Sequence, residues 1–323
     1  MTYIIDFVKI YSNRDLVIYR PDEEILKNNY FPSSTYVMSS NASRYILFNP
    51  QIAGKELQEK MKEVSENYFS ALKALNLLKE QKKKSVVELI FLAGGLYYYL
   101  NHGFQKTFNY ALPQCFIGIQ RSRIEGTIGK FTAKISYENY EALQDNSVIF
   151  IGDTIATGAT ITKGILSLQS ALLEKNYSLK EIFIFSLACS TTGATKIAEL
   201  EQRLKAIFND CKITLIVCEQ FFTLMEDGTD LRFLERDSIL PKETYDNILK
   251  VYGEWLGKNM KCAVFDWGTR CKNPIKHYHE FIEFVDNITS TSHNIPTDAK
   301  NKLLEMKAQT LKNLNEIEND RVY

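Results

Sequence analysis

The residues best suited to chemistry lie in one run, Val148-Ile149-Phe150-Ile151-Gly152-Asp153-Thr154-Ile155-Ala156-Thr157-Gly158-Ala159-Thr160. Apolar strand residues end in a loop with one carboxylate, and the loop closes on Thr-Gly-x-Thr before an amphipathic stretch. Open parallel sheets bind ligands at the carboxyl ends of their strands. Backbone amides at a helix start, with the hydroxyls of Thr157 and Thr160, form a cradle for a phosphate. Gly158 lets the backbone approach closely. Asp153 stands beside that cradle, where a carboxylate suits ribose hydroxyls or a magnesium ion. The plain alternative is a strand, turn and helix with threonine caps. The acid and the full Ile-Ala-Thr-Gly-x-Thr string argue for the ligand. The Gly-Lys-Thr ending of a Walker loop is missing.

Other candidates are weaker. Arg121-Ser122-Arg123 follows a strand on the ligand side and precedes the segment 124–140, which holds Gly126 and Gly129. That segment reads as a lid that would exclude water. His102 reads as a cap of the helix that follows the first loop. His277, His279 and Glu280 suggest a metal cluster, but helix residues two apart share no face, and His-Glu-x-x-His is absent. An interface or polar surface suits them better. Trp267 is balanced between stacking on a base and packing in the core. Cys189 has no base beside it in sequence and is not read as a nucleophile.

The elements that would position these residues follow from periodicity. Leu57, Met61, Val64, Tyr68, Leu72 and Leu75 recur at spacings of three and four after Gly54, predicting a long helix closed by the lysine run 82–84. Short β-branched runs at 86–92, 114–119, 148–151, 181–187 and 213–218 alternate with helical stretches, one carrying Ile161, Ile165, Leu168 and Leu172. That alternation predicts βαβ units and a buried parallel sheet flanked by helices, an α/β fold. Residues 1–50 read as edge strands and loops. After Pro241 the chain reads as mostly helical, with Leu304, Ala308, Leu311, Leu314 and Ile317 as one apolar stripe. The division expected is an extension over 1–80, a core over 81–240 and a helical region over 241–323.

Composition narrows the function. The 323 residues carry 39 basic and 39 acidic side chains, so no basic surplus points to general nucleic-acid binding. No run is long and apolar enough for a membrane helix, and Asp6 and Lys9 interrupt the opening apolar run, so a signal peptide is not expected. The six cysteines are scattered without a Cys-x-x-Cys pair, which makes a reducing, cytoplasmic setting the default.

Taken together these motifs resemble the type I phosphoribosyltransferases, most of all uracil phosphoribosyltransferase. The 148–160 run is similar to that superfamily's 5′-phosphate loop. Leu89-Ile90-Phe91-Leu92-Ala93-Gly94-Gly95 resembles its pyrophosphate loop, and Phe116-Ile117-Gly118-Ile119-Gln120-Arg121 its next strand. Phe185-Ser186-Leu187-Ala188 with Gly193 resembles the strand and turn that follow, and Asp266-Trp267-Gly268-Thr269-Arg270 a late element near the base. The order matches across residues 86 to 270. Three positions depart: Leu92 replaces a loop arginine, Gly152 stands where the family has its loop acid, and Thr269 replaces an acid.

The resemblance implies a transferase that binds phosphoribosyl pyrophosphate with Mg²⁺ and moves ribose 5-phosphate to a uracil-like base. It implies that Ala156, Thr157, Gly158, Ala159 and Thr160 hold the 5′-phosphate, and that Asp153 holds ribose hydroxyls or metal. Ala93, Gly94, Gly95, Arg121 and Arg123 would face pyrophosphate, and Asp266, Gly268 and Arg270 the base. A homodimer is expected from the same likeness, with the helices at 57–78 and 303–317 as seams and the helical extensions open to a protein partner. The competing expectation is a catalytically degenerate sensor or scaffold in a larger complex, because Leu92 and Gly152 remove charged groups that the reaction uses. A third keeps the chemistry and changes the acceptor to a macromolecule or unusual base.

Overall fold

Period-2 apolar runs alternate with period-3.6 runs along most of the chain, and the structure follows that alternation. The computed structural model describes residues 7–28, 30–78, 85–261, 267–292 and 294–320. The amino-terminal part holds β1 (Phe7–Ser12), β2 (Leu16–Pro21), α1 (Glu23–Asn28), β3 (Ser34–Ser40), α2 (Asn41–Phe48) and α3 (Gly54–Ala74). The middle holds β4 (Val86–Leu92), a 3₁₀ turn (Gly94–Tyr98), α4 (Leu100–Phe108), β5 (Gln114–Arg123), β6 (Phe131–Asn139), β7 (Ser147–Gly152), α5 (Ala159–Glu174), β8 (Leu179–Ser186), β9 (Cys189–Ser190), α6 (Thr191–Ile207) and β10 (Lys212–Cys218). Then come β11 (Phe221–Leu224), β12 (Leu231–Arg232), α7 (Lys242–Asn259), α8 (Trp267–Lys272), α9 (Pro274–Thr291) and α10 (Thr297–Asp320).

Among the described residues nine strands form one sheet in the order β1-β2-β3-β10-β8-β7-β4-β5-β6. The six from β3 to β5 are parallel; β1, β2 and β6 add antiparallel edges. The amino-terminal residues are therefore built into the sheet, with Ser34 of β3 opposite Thr214 of β10. A smaller sheet, β12-β11-β9, lies beyond the strand ends.

Helices cover both faces because the central strands are apolar on both. Phe150, Phe183 and Phe185 point to one side, where α2, α3 and the carboxyl-terminal helices pack; Ile149, Ile182 and Ile184 point to the other, against α5 and α6. The predicted α3 face is fully buried from Leu57 through Leu72, as is the α5 face from Ile161 through Leu172. Each such side chain contributes about 1.5–3 kcal/mol. The α3 face is thus spent on the core and is not a free seam.

The end of α3 differs from expectation. The lysine run 82–84 lies outside the described residues, and the helix stops earlier, at Ala74. Asn76 takes a left-handed φ of 50°, and the amides of Leu77 and Asn76 donate back to the carbonyls of Leu72 and Lys73. A Schellman turn, not charge, ends the helix. Asn176 ends α5 the same way.

In α10 the buried column is Ala299, Leu303, Met306, Thr310 and Leu314, while Leu304 and Leu311 are 45% and 40% exposed. The predicted stripe holds at its end, where Leu314 is buried and Ile317 packs beside it, and before that the buried side lies one column over. The buried one contains a threonine, and the Thr310 hydroxyl satisfies itself on the Met306 carbonyl, which lets a polar residue sit in the core.

Arg270 fixes the carboxyl-terminal helices to the amino-terminal ones. It is fully buried, and its guanidinium donates to the carbonyls of Ile52 at 2.7 Å, Asn49 at 2.9 Å and Ile46 at 3.4 Å. These include carbonyls at the open end of α2. Arg270→Met keeps the stem and removes the donors. It is expected to lower the unfolding free energy by about 3 kcal/mol or more, since each hydrogen bond to a charged group is worth about 1.5–3 kcal/mol. Denaturant unfolding measures this.

Candidate functional site

Two loops leave the sheet side by side, one after β4 and one after β7. Together they make the floor of a cavity at the carboxyl ends of the strands.

The β7 loop begins at Gly152. Its backbone is held by β8 and the residues after it: Asp153 N–H donates to Phe185 O at 3.1 Å, and Ile155 N–H to Ala188 O at 3.0 Å. Gly158 has φ +77° and starts α5 with no side-chain cap, and a Cβ there would come 2.9 Å from the Lys196 side chain. First-turn helix amides have no acceptor within the helix. Residues 153–161, with Arg121, line a shallow niche around them. The Thr157 hydroxyl accepts from the Ala159 amide at 3.4 Å.

Burial raises Asp153 to a pKa of about 7, against smaller downward pulls from the Thr154 amide and the Arg121 charge. Arg121 pairs with Ala133 in the part of β5 that lies beyond β4, its guanidinium 4.3 Å from the centre of the Phe131 ring. Arg123 stacks on the same ring at 5.1 Å and lines neither the niche nor the cavity. The segment 124–140 is the rest of a hairpin, its turn followed by β6, and its tip at Gly129 packs on the turn at Glu226 and Gly228.

The β4 loop accounts for glycine at 152. Gly152 has no room for a side chain: a Cβ would lie 2.5–2.9 Å from the Tyr98 side chain. Tyr98, from the 3₁₀ turn, is fully buried in that space. Its hydroxyl is 2.8 Å from Thr154 Oγ1 and accepts from the Leu187 amide at 3.3 Å. One phenol therefore ties the β4 loop to the β7 loop. The Leu92–Ala93 peptide that opens the β4 loop is cis.

The cavity is about 630 Å³ and joins Gly94, Arg121, Asp153, Ala156 and Thr160 to Trp267 and Gly268. Its other walls are Thr229, Leu231 and Lys261, and a face of α9 carrying Glu280, Glu283, Phe284 and Asn287. Among the sequence candidates Gly94, Arg121, Asp153, Ala156, Thr160 and Gly268 meet here. Thr157, Gly158 and Ala159 stay in the niche. Ala93 and Gly95 flank Gly94 without lining the cavity. Asp266 lies outside the described residues. Arg270 does not reach the base side, because the carbonyls of residues 46–52 hold its guanidinium.

Trp267 packs in the core and also borders the cavity. It is 6% exposed and packed on Tyr98 at 5.8 Å between ring centres, yet it also lines the cavity. His102 does not cap α4. It pairs with Glu66 of α3 at 2.9 Å, and Glu66 also holds Lys106 at 2.7 Å. His277 is buried with Nε2 on the Pro50 carbonyl at 2.7 Å, and burial pushes its pKa down to about 3, whereas His279 is exposed. Cys189 is buried, and burial with the Asp153 charge pushes its thiol up. Another groove, about 970 Å³, lies at the opposite ends of the strands around Ser85, Ser178 and Lys212.

Sequence reasoning missed Tyr98 and the α9 wall. The spacing 280, 283, 287 is a helical face, but only the fold shows that this face meets Asp153.

No family model matches the chain, and no curated protein does. Several solved structures overlap it loosely. The adenine phosphoribosyl transferase from Trypanosoma brucei, in complex with AMP, pyrophosphate and ribose-5-phosphate, is 15% identical over 57% of this chain and 84% of that one, with a TM-score of 0.35. A hypoxanthine phosphoribosyltransferase from Staphylococcus aureus is 16% identical over 51% and 76%, with a TM-score of 0.29. An adenine phosphoribosyltransferase from Thermoanaerobacter pseudethanolicus is 11% identical over 49% and 85%, with a TM-score of 0.28.

The Tyr98–Gly152 contact is testable. Gly152→Ala is expected to cost about 1–3 kcal/mol of stability by overpacking. In a Tyr98→Ala background that cost should shrink, giving a coupling above about 0.5 kcal/mol in a double-mutant cycle read by denaturant unfolding.

Proposed function

We propose that this chain binds phosphoribosyl pyrophosphate at the β7 loop and transfers ribose 5-phosphate to a ring nitrogen of a nucleobase. The observation that supports this most is the niche of residues 153–161 at the start of α5 opening beside Arg121 and the β4 loop, with Asp153 between them. The 5′-phosphate would take the α5 amides with Thr157 and Thr160. Asp153 would take the ribose hydroxyls or one position on Mg²⁺, whose remaining positions suit water and substrate phosphates. Bound Mg²⁺ would supply charge for the departing pyrophosphate. Arg121 and the amides of the β4 loop would hold that pyrophosphate in place of the arginine that Leu92 replaces.

In the reaction the bond from ribose C1 to the pyrophosphate oxygen breaks, and the oxygen keeps the electron pair. The base nitrogen forms the new bond to C1 and gives up its proton. The rate would come from orienting the two reactants and from fixed charge around the developing cation. The hairpin turn, already resting on the 225–228 turn, would shield the activated sugar from water. Uracil as the base rests on the sequence resemblance alone.

The second reading, a sensor without turnover, is favoured by Tyr98, whose side chain fills the space that any side chain at 152 would need. The two are separated by pyrophosphate release. Calorimetric titration of phosphoribosyl pyrophosphate with Mg²⁺ is expected to show saturable binding that Asp153→Asn weakens strongly. In an active enzyme the same change should cut turnover about 10²–10³-fold. Binding without pyrophosphate release across a panel of bases would select the sensor, and no binding at millimolar ligand would refute both.

The raised pKa of Asp153 sets a pH dependence. The group is protonated below about pH 7 and ionised above it. Affinity for the Mg²⁺ complex should therefore rise more steeply between pH 6 and 8 in the wild type than in Asp153→Asn, where only the ligand's phosphates, with a pKa of about 6, still titrate. Stability runs the other way. The folded protein keeps a proton that the unfolded chain would release between about pH 4 and 7, so this acid removes stability as pH rises through that window. Asp153→Asn should then gain stability over the wild type at pH 8 relative to pH 4, measured by thermal unfolding.

A further inference from the structure

A groove of about 680 Å³ lies between the outer part of the β5–β6 hairpin and helices α5 and α6, beside the turn 157–159. One wall is the start of β6. Residues 129–133 line it without a gap. Successive side chains of a strand point to opposite faces, so the groove follows the strand edge and not one face. β6 is the last strand of its sheet. The Ile124 amide donates to the Lys130 carbonyl at 3.0 Å, and the register continues with Arg123 opposite Phe131 and Arg121 opposite Ala133. Hydrogen-bonded and non-bonded pairs alternate along an antiparallel ladder. The main-chain N–H and C=O groups of Phe131 and Ala133 therefore point away from β5, and no backbone group among the described residues meets them.

The other walls are aliphatic and basic. Leu166 of α5 and Leu200 of α6 give the aliphatic surface. Lys130, Lys163, Lys196 and Arg203 stand around it, against one carboxylate among the lining residues, Glu199. Lys196 takes that carboxylate at 2.7 Å, and Arg203 donates to the neutral Gln169 at 2.9 Å. The side chains of Lys130 and Lys163 make no hydrogen bond or ion pair among the described residues. In a chain whose charges cancel, 39 against 39, this is a local basic excess.

We infer that an extended, acidic segment of a partner protein docks in this groove as an added strand on the free edge of β6. Main-chain hydrogen bonds to Phe131 and Ala133 would hold it, and its alternate side chains would set the preference. Aliphatic ones rest on Leu166 and Leu200, and carboxylates answer Lys130 and Lys163. A single-stranded nucleic acid matches the charge but not the surface. Its bases stack on open aromatic faces, whereas the Phe131 ring already carries Arg121 at 4.3 Å and Arg123 at 5.1 Å. A second copy offering the same edge would bring its own Lys130 and Lys134, and edge lysines disfavour such pairing.

The probe is a short fluorescent peptide of alternating valine and glutamate, titrated into the full chain and followed by anisotropy. A valine–lysine peptide and an oligothymidylate serve as controls. The acidic peptide should bind saturably, and Lys163→Glu should remove its advantage over the basic one. Ala133→Pro removes an outward N–H and no bond to β5, and an edge strand accepts proline at such a position. It should weaken the acidic peptide about tenfold or more, with the thermal midpoint of unfolding little changed. A fully N-methylated copy of the peptide has no main-chain donor and should not bind the wild type, a test that needs no variant to fold. Absence of saturable binding at millimolar acidic peptide would overturn the inference. So would equal binding of the basic peptide, affinity retained by the N-methylated one, or oligothymidylate bound in its place. Self-association that Lys163→Glu or Ala133→Pro dissolves would overturn it too, by placing a second copy on the edge.

Discussion

Two adjacent parallel strands deliver two loops into one space, and the contact between Tyr98 and Gly152 decides how that space is shared. Everything else at the strand ends is arranged around it. The phenol takes the volume that a side chain at 152 would need, and its hydroxyl reaches Thr154 and the Leu187 amide. The β4 loop, the β7 loop and the turn after β8 are thereby held by one buried group. Glycine at 152 is a packing necessity once tyrosine is at 98. Placing an acid at 152 by a single exchange overpacks the site. Shortening Tyr98 first leaves a cavity and an unsatisfied amide. The two positions have to change together.

The candidate site is also held from outside the strands. Helices α8 and α9 form its far wall, and Arg270 moors α8 to the carbonyls of residues 46–52. A charged side chain is tolerated there because its fork meets several carbonyls at once. The far wall therefore takes its position from the amino-terminal helices, while the near wall takes its position from the sheet.

Much of this was legible in the sequence, and the limits have physical reasons. The parallel strands and the faces of α3 and α5 announced themselves because apolar period and burial coincide: Leu57, Met61 and Val64 are spaced as they pack. The turn from β7 into α5 was legible because an apolar strand, a glycine and an amphipathic run follow one another there, as they do in the fold. Arg270 was misplaced because its motif neighbours suggested a ligand, whereas its partners are carbonyls more than 200 residues away, as the Ile52 bond shows. The buried column of α10 was missed because a self-satisfied Thr310 looks polar in sequence and is core in the fold. The α9 wall was invisible because nothing local says which strand ends a distant helix will face.

The position of β3 has a consequence for synthesis. It is the last parallel strand on its side of the sheet, yet it comes from the amino-terminal part of the chain, and its parallel partner is β10, with Ser34 opposite Thr214. A ribosome makes β2 and β3 long before residues 212–218 exist. Until then β3 can pair only with β2, and its other edge is open. Such non-local pairing closes late and leaves an unpaired edge exposed while it waits. The nascent amino-terminal hairpin is thus the part of this molecule most dependent on prompt completion of the chain.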